Sequence, residues 1–131
     1  MRVLFDHNMS PRLPRSLQAL FGEQYEIVAL RDKFPPNIKD LELIRALSAQ
    51  GGWVLISGDR RITRNKAEKS VFQSSRIIGM FLSPGLYKAP VIKQAERLIV
   101  LWPAIETTAS TMKGGSMFEL PMKSHKLSPL K

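Results

Sequence analysis

The sequence predicts an α/β protein: a mainly parallel, four-stranded sheet with helices on both faces and a short strand-like extension at the C-terminal end. Three observations carry this. Strand-like and helix-like segments alternate along most of the 131 residues, the order that yields parallel strands joined by crossover helices. The run WVLIS at 53–57 is apolar throughout, as in a sheet covered on both faces. Gly22 and Gly51-Gly52 stand where the helical patterns stop.

The elements follow in order. Residues 3–5 are a short apolar strand with a polar exit, Asp6-His7-Asn8. Ser10 and Pro11 supply an N-cap and a first-turn proline for a helix carrying Leu13, Leu17 and Leu20. A second strand covers 25–30, and Pro35-Pro36-Asn37 makes 31–39 a loop. Residues 40–50 are helical, with Leu41, Ile44, Leu47 and Ser48 on one face. The third strand, 53–57, closes on Gly58-Asp59, a short helix covers 66–74, and 77–82 is the fourth strand. A long helix starts at Pro90 with Val91, Ala95, Leu98, Trp102 and Ile105 in register, and Pro103 is expected to kink or divide it. SMFELPM at 116–122 is strand-like. The expected domain is 1–122, and 123–131 is a basic tail whose composition permits disorder.

Composition narrows the chemistry. There is no Cys and there are only 2 His, which removes disulfides, thiolate chemistry and any basis for a zinc site. No apolar run reaches the roughly 18 residues that span a bilayer, and Asp6 interrupts the stretch a signal peptide would need. A cytoplasmic protein without a membrane role is expected. The net charge of +9 is unevenly placed. Residues 1–59 hold 7 basic and 7 acidic side chains, whereas 60–76 hold Arg60, Arg61, Arg64, Lys66, Lys69 and Arg76 against Glu68 alone. A localised basic patch is what a phosphate-rich partner requires, although a solubilising surface has the same composition.

In parallel sheets, sites form beyond the carboxyl ends of the strands where the strand order reverses. Asp6 follows the first strand, Asp59 follows the third, and Asp40 lies in the first turn of the helix feeding the third. If the first and third strands are neighbours, these acids share one crevice, and carboxylates brought together repel unless a cation neutralises them. Oxygen ligands alone select Mg²⁺ or Mn²⁺. Plain structural alternatives exist: Asp40 could serve the helix dipole or a capping box with Asn37, and Gly58-Asp59 is ordinary turn vocabulary. Glu42 lies roughly 200° around the helix from Asp40 and reads as solvated.

The segments LFDHNMSPRL, DLELIRALSAQGGWVLISGDRRITRN and SMFELPM together resemble the compact PIN-like proteins of VapC-type toxins in bacterial toxin–antitoxin pairs. The resemblance covers residues 1–122 and implies a three-layer PIN-like fold and a metal-dependent endoribonuclease. On the matching positions, Asp6, Asp40 and Asp59 are the catalytic acids holding Mg²⁺ or Mn²⁺. Asn8, beside the first acid, orients Asp6 or satisfies the strand-to-helix turn. In-line attack by a water of lowered pKa would expel the 3′ oxygen and leave 5′-phosphate ends. Arg60, Arg61 and Arg64, with Arg12 from the first helix, would bind RNA phosphates. The implied partners are RNA, a cognate antitoxin protein and a second copy of the chain. The pattern departs at residue 61, Arg where the family often has Asp, and three acids rather than four are placed, which leaves open one metal ion instead of two, weak metal binding, or a retained fold without activity.

Other readings of a strand-end Asp fit less well. A haloacid-dehalogenase-type phosphatase needs a second Asp where Asn8 stands, and a response-regulator receiver needs a Lys where the fourth strand ends in Leu82-Ser83-Pro84. Neither His7 nor His125 has a Gly-x-Ser-x-Gly partner for a serine hydrolase. The rival reading is a non-catalytic nucleic-acid or partner-binding module on the same fold. The aromatics near the basic run, Trp53 and Phe72, read as core or carry no base preference.

Overall fold

Successive residues of a strand point to opposite faces of its sheet, so strands that are apolar at every position need cover on both sides. The computed structural model, which describes residues 1–130, meets that requirement. Its elements are β1 (Arg2–Phe5), α1 (Arg12–Phe21), β2 (Glu26–Ala29), α2 (Leu30–Lys33), α3 (Asp40–Gln50), β3 (Trp53–Ser57), α4 (Arg61–Arg64), α5 (Lys66–Gln73), β4 (Ile78–Leu82), α6 (Pro84–Lys88), α7 (Val91–Thr111), β5 (Met117–Leu120) and β6 (Ser128–Leu130). The strands form one sheet in the order β2-β1-β3-β4-β5-β6, parallel except for β6.

Two cores lie on the two faces. Val3, Phe5, Val54, Ile56, Met80 and Leu82 pack against Leu13 and Leu17 of α1 and Leu98, Leu101, Trp102 and Ile105 of α7. Leu4, Trp53, Leu55 and Phe81, the alternate residues of the same strands, pack against Leu43, Ile44 and Leu47 of α3, Ile62 of α4 and Phe72 of α5. Each fully buried aliphatic side chain here contributes about 1.5–3 kcal/mol relative to exposure. No helix among the described residues is long and apolar enough to cross a membrane.

The three-layer α/β architecture is as expected, and the sheet is larger than the four strands anticipated. Residues 117–120 of the strand-like extension pair parallel with β4, and Ser128–Leu130 of the tail pair antiparallel with β5. β6 is three residues long and contains Pro129, too little pattern to read as a strand and compatible only with a sheet edge.

Several helices differ in detail. On α1, Leu20 is exposed and Phe21 packs against the core instead, because residue 21 continues the i, i+4 row of Leu13 and Leu17. On α3, Leu43 rather than Leu41 joins Ile44 and Leu47 in the core. Residues 30–33, the end of the expected second strand and the start of the expected loop, form the single turn α2. α6 was not anticipated. Pro103 does not divide α7, which runs unbroken through it. Pro103 lies on the exposed face, where the carbonyl it leaves unpaired is open to water.

Chain direction places the site. From β1 the chain crosses to β2 on one side and then to β3 on the other, so the order reverses between β1 and β3. The two strands are in direct register, Phe5 opposite Ile56, and their next residues leave the sheet side by side.

Candidate active site

At that reversal the backbone N–H of Asp6 still bonds to Ile56 O at 2.9 Å, which brings Asp6 up to the end of β3. Asp6 is only 6% exposed, and a buried carboxylate requires donors. Its Oδ1 accepts the His7 N–H at 2.8 Å, with His7 Nδ1 3.0 Å away. Its Oδ2 accepts from the fully buried Ser57 Oγ at 3.1 Å and from Asn8 Nδ2 at 3.5 Å. Asn8 ties the two strand ends together, accepting the Gly58 N–H at 3.0 Å and donating Nδ2 to Ser57 Oγ at 3.0 Å. Ser57 Oγ also accepts the Asp59 N–H at 3.1 Å. Ser57 is thus the hub of the network, a role a serine closing an apolar run does not announce in sequence.

Asp59 is engaged by one residue at both oxygens. Its Oδ1 accepts the Arg61 N–H at 2.9 Å, and its Oδ2 accepts Arg61 Nε at 2.5 Å. The Arg61 guanidinium is held above its usual pKa by the hydrogen bond to Asp59 and then by that carboxylate's charge, with Asp40 and Asp6 adding to the effect. Three acids therefore bear on one cation. Arg61 stands where the resemblance would have placed another acid, and its side chain is 66% exposed.

Asp40 opens α3, whose N-cap is Lys39 with its own side chain unused, so the Asn37 capping box does not form. Beside Asp40 stands a fourth acid, Glu68, in the first turn of α5. The Asn65 side chain caps that helix by accepting the Glu68 N–H at 3.1 Å. Glu68 Oε2 is buried without a hydrogen-bond partner among the described residues. Burial raises its pKa most, the charge of Asp40 and a hydrogen bond to Asp40 act the same way, Asp59 adds to the rise and Arg61 opposes it. Glu68 was counted in sequence only as an acid within a basic run. The signal that locates it is Asn65-x-x-Glu68, a capping pattern that fixes it in a helical first turn.

The predicted phosphate-binding arginines separate. Arg60 is 19% exposed at its side chain, and its guanidinium binds Glu119 at 2.6 Å and Leu82 O at 3.1 Å, tying the end of β3 to β4 and β5. Arg64 is exposed and lines a cavity of about 280 Å³ beside Asp59. Arg12 is exposed at the start of α1, where Ser10 Oγ accepts its N–H at 3.3 Å. Glu42 is exposed and faces away from Asp40.

These features define a class first: a three-layer α/β protein with strand-end carboxylates at its strand-order reversal, flanked by arginines. A family model for PIN-like domains matches residues 1–84, a span that holds Asp6, Asp40, Asp59 and Glu68, and the chain belongs to that family. Neither a comparison with curated proteins nor one with solved structures finds a match. PIN-like domains are commonly metal-dependent nucleases, so the cleft has to be tested for a metal. The donors fit in kind: hard oxygens only, in excess over the one guanidinium present, with Glu68 Oε2 unpartnered. Their spacing is a different matter. Among the described residues no three His, Cys, Asp or Glu are grouped closely enough to hold an ion, and Arg61 already occupies both oxygens of Asp59.

Proposed function

We propose that this protein is a divalent-cation-dependent endoribonuclease acting in the cytoplasm on RNA phosphodiester bonds, and that it is the toxin of a toxin–antitoxin pair. The observation that supports the nuclease reading is the placement of Asp6 and Asp59 at the adjoining ends of β1 and β3, linked through Ser57, with Arg61 seated on Asp59. Asp6 and Asp59, with Asp40 and Glu68, would hold Mg²⁺ or Mn²⁺. Bound there, the ion would make a water more acidic and polarise the phosphoryl group.

The chain's own residues then have distinct work. Ser57, Asn8 and the His7 N–H fix the Asp6 carboxylate in one orientation. Arg61, whose guanidinium is exposed, would meet the substrate phosphate, where a planar fork suits two oxygens. Arg64 and Arg12 add positive potential along the RNA, and Arg60 keeps the β3 loop in place. The toxin reading rests on the likeness of three sequence segments to VapC-type proteins. It makes a cognate antitoxin the partner to look for, with the C-terminal helix and tail as the surface to test for it and for a second copy.

One observation favours a second reading, a non-catalytic module that binds RNA or a protein partner: Arg61 can serve as the permanent counter-ion of the acids, leaving no vacancy for a metal. Incubation with mixed tRNA and mRNA, with Mn²⁺ or with chelator, separates the two. The nuclease cleaves only with the ion, and Asp6→Ala and Asp59→Ala abolish cleavage. The binding module retains RNA affinity in those variants and turns nothing over.

A further inference from the structure

The cavity beside Asp59 is completed by a residue beyond the family match, Tyr87 of α6. This short helix is firmly placed. Ser83 Oγ accepts the Leu86 N–H at 3.3 Å, Leu86 is fully buried, and Gln94 of α7 donates Nε2 to the carbonyls of Leu86 and Tyr87 at 3.3 and 3.1 Å. The Tyr87 ring lies against Gly58, so closely that a Cβ at residue 58 would fall 2.0 Å from ring Cδ1. Only glycine admits the ring there. Tyr87 as a residue is nonetheless 39% exposed, and it lines the cavity of about 280 Å³ together with Arg64 and Lys88.

We propose that this cavity is a nucleotide subsite, in which an unpaired RNA base stacks on Tyr87 and the adjoining phosphate is met by Arg64 and Lys88. The proposal rests on the reading of the neighbouring cleft as an RNA-cleaving site, whose substrate it specifies as single-stranded. Single strands are held by aromatic faces for the bases and cations for the backbone, and an aromatic within a rigid wall holds a base with little ordering of its own. The nearby acids do not oppose this, because Arg61 covers Asp59 and Arg60 is turned to Glu119. Trp53 and Phe72 are buried and present no face to a base, whereas Tyr87 offers a stacking face that any base could use.

Fluorescence anisotropy with a labelled single-stranded RNA of about ten nucleotides, in chelator so that nothing is cut, tests the subsite. Tyr87→Ala should weaken binding by about tenfold, the scale of one lost base stack. Tyr87→Phe should bind as the parent does. Tyr87→Leu keeps an apolar filler over Gly58 but removes the stacking face, and it should bind like Tyr87→Ala with an unchanged thermal transition. Arg64→Ala and Lys88→Ala should each weaken binding and flatten its salt dependence. Parental affinity in Tyr87→Ala and Tyr87→Leu, or no RNA binding by the parent, overturns the proposal. Failure of the nuclease reading looks different: Tyr87-dependent binding persists while Mn²⁺ produces no cleavage, which leaves the subsite supported.

Discussion

Arg61 grips Asp59 twice, its N–H on Oδ1 at 2.9 Å and its Nε on Oδ2 at 2.5 Å. An acid held in this way cannot offer either oxygen fully to a metal until the arginine moves. The side chain is exposed enough to move, and an exposed ion pair is weakly held. Replacing Arg61 should therefore favour the ion. Arg61→Ala is expected to bind Mn²⁺ several-fold more tightly than the parent, read by titration calorimetry or by the signal of free Mn²⁺, while RNA affinity in chelator falls. Unchanged Mn²⁺ affinity would show that Arg61 does not compete for the acids.

Asn8 joins the ends of β1 and β3 through Gly58 N and Ser57 Oγ. Truncation leaves both partners short of a bond in a half-buried place, at a cost of about 1–3 kcal/mol. Asn8→Ala should lower the urea midpoint accordingly without changing the slope of the transition. A variant as stable as the parent would mean that water replaces the amide at no loss.

Glu68 sets a pH dependence whose sign follows from its raised pKa. An acid that binds its proton more tightly when folded contributes full stability below its unfolded pKa, and that contribution is lost as pH rises through the folded value. With chelator present, the parent should lose stability as pH climbs from the ordinary glutamate range into the raised one. Glu68→Gln should not show this fall and should be the more stable protein at neutral pH. Parallel stability–pH curves for the two would remove the claim that burial and the neighbouring Asp40 raise the Glu68 pKa.

Arg60 and Arg64 should part company. Arg60 binds Glu119 and Leu82 O, so Arg60→Ala should destabilise the fold by about 1–3 kcal/mol, the scale of hydrogen bonds to charged groups. Its RNA affinity should stay near the parental one. Arg64→Ala should do the reverse. Thermal unfolding and anisotropy on the same two preparations decide it.

The core of this structure was legible because its strands are apolar on both faces. WVLIS and the 77–82 run required a covered sheet, and the acids after β1 and β3 then had to meet if those strands were neighbours, as they are. Asp6 could be picked out because a buried strand end makes a carboxylate expensive. Asn65-x-x-Glu68 marks Glu68 as a helical first-turn residue, but its place beside Asp40 depends on α5 folding back beside α3, a tertiary contact. Arg60 and Arg64 are alike in sequence and differ only through Glu119, which arrives from β5, 59 residues beyond Arg60. Tyr87 was missed for the same reason: its partner Gly58 lies on another strand's exit. The edge strand β6 has too few residues to show a period at all.

Asp6 is the residue on which cleavage at this site depends most directly. Single-turnover cleavage of a single-stranded RNA at saturating Mn²⁺ should be slowed by about 100-fold or more in Asp6→Asn, a loss on the scale of removing one group that stabilises a transition state. The variant should still unfold cooperatively, at a lowered temperature because one acceptor facing buried donors is lost, and bind the RNA equally well in chelator. Equal cleavage rates in parent and Asp6→Asn, or cleavage that persists in chelator, would contradict the assignment of the cleft at the ends of β1 and β3 as the site of the chemistry.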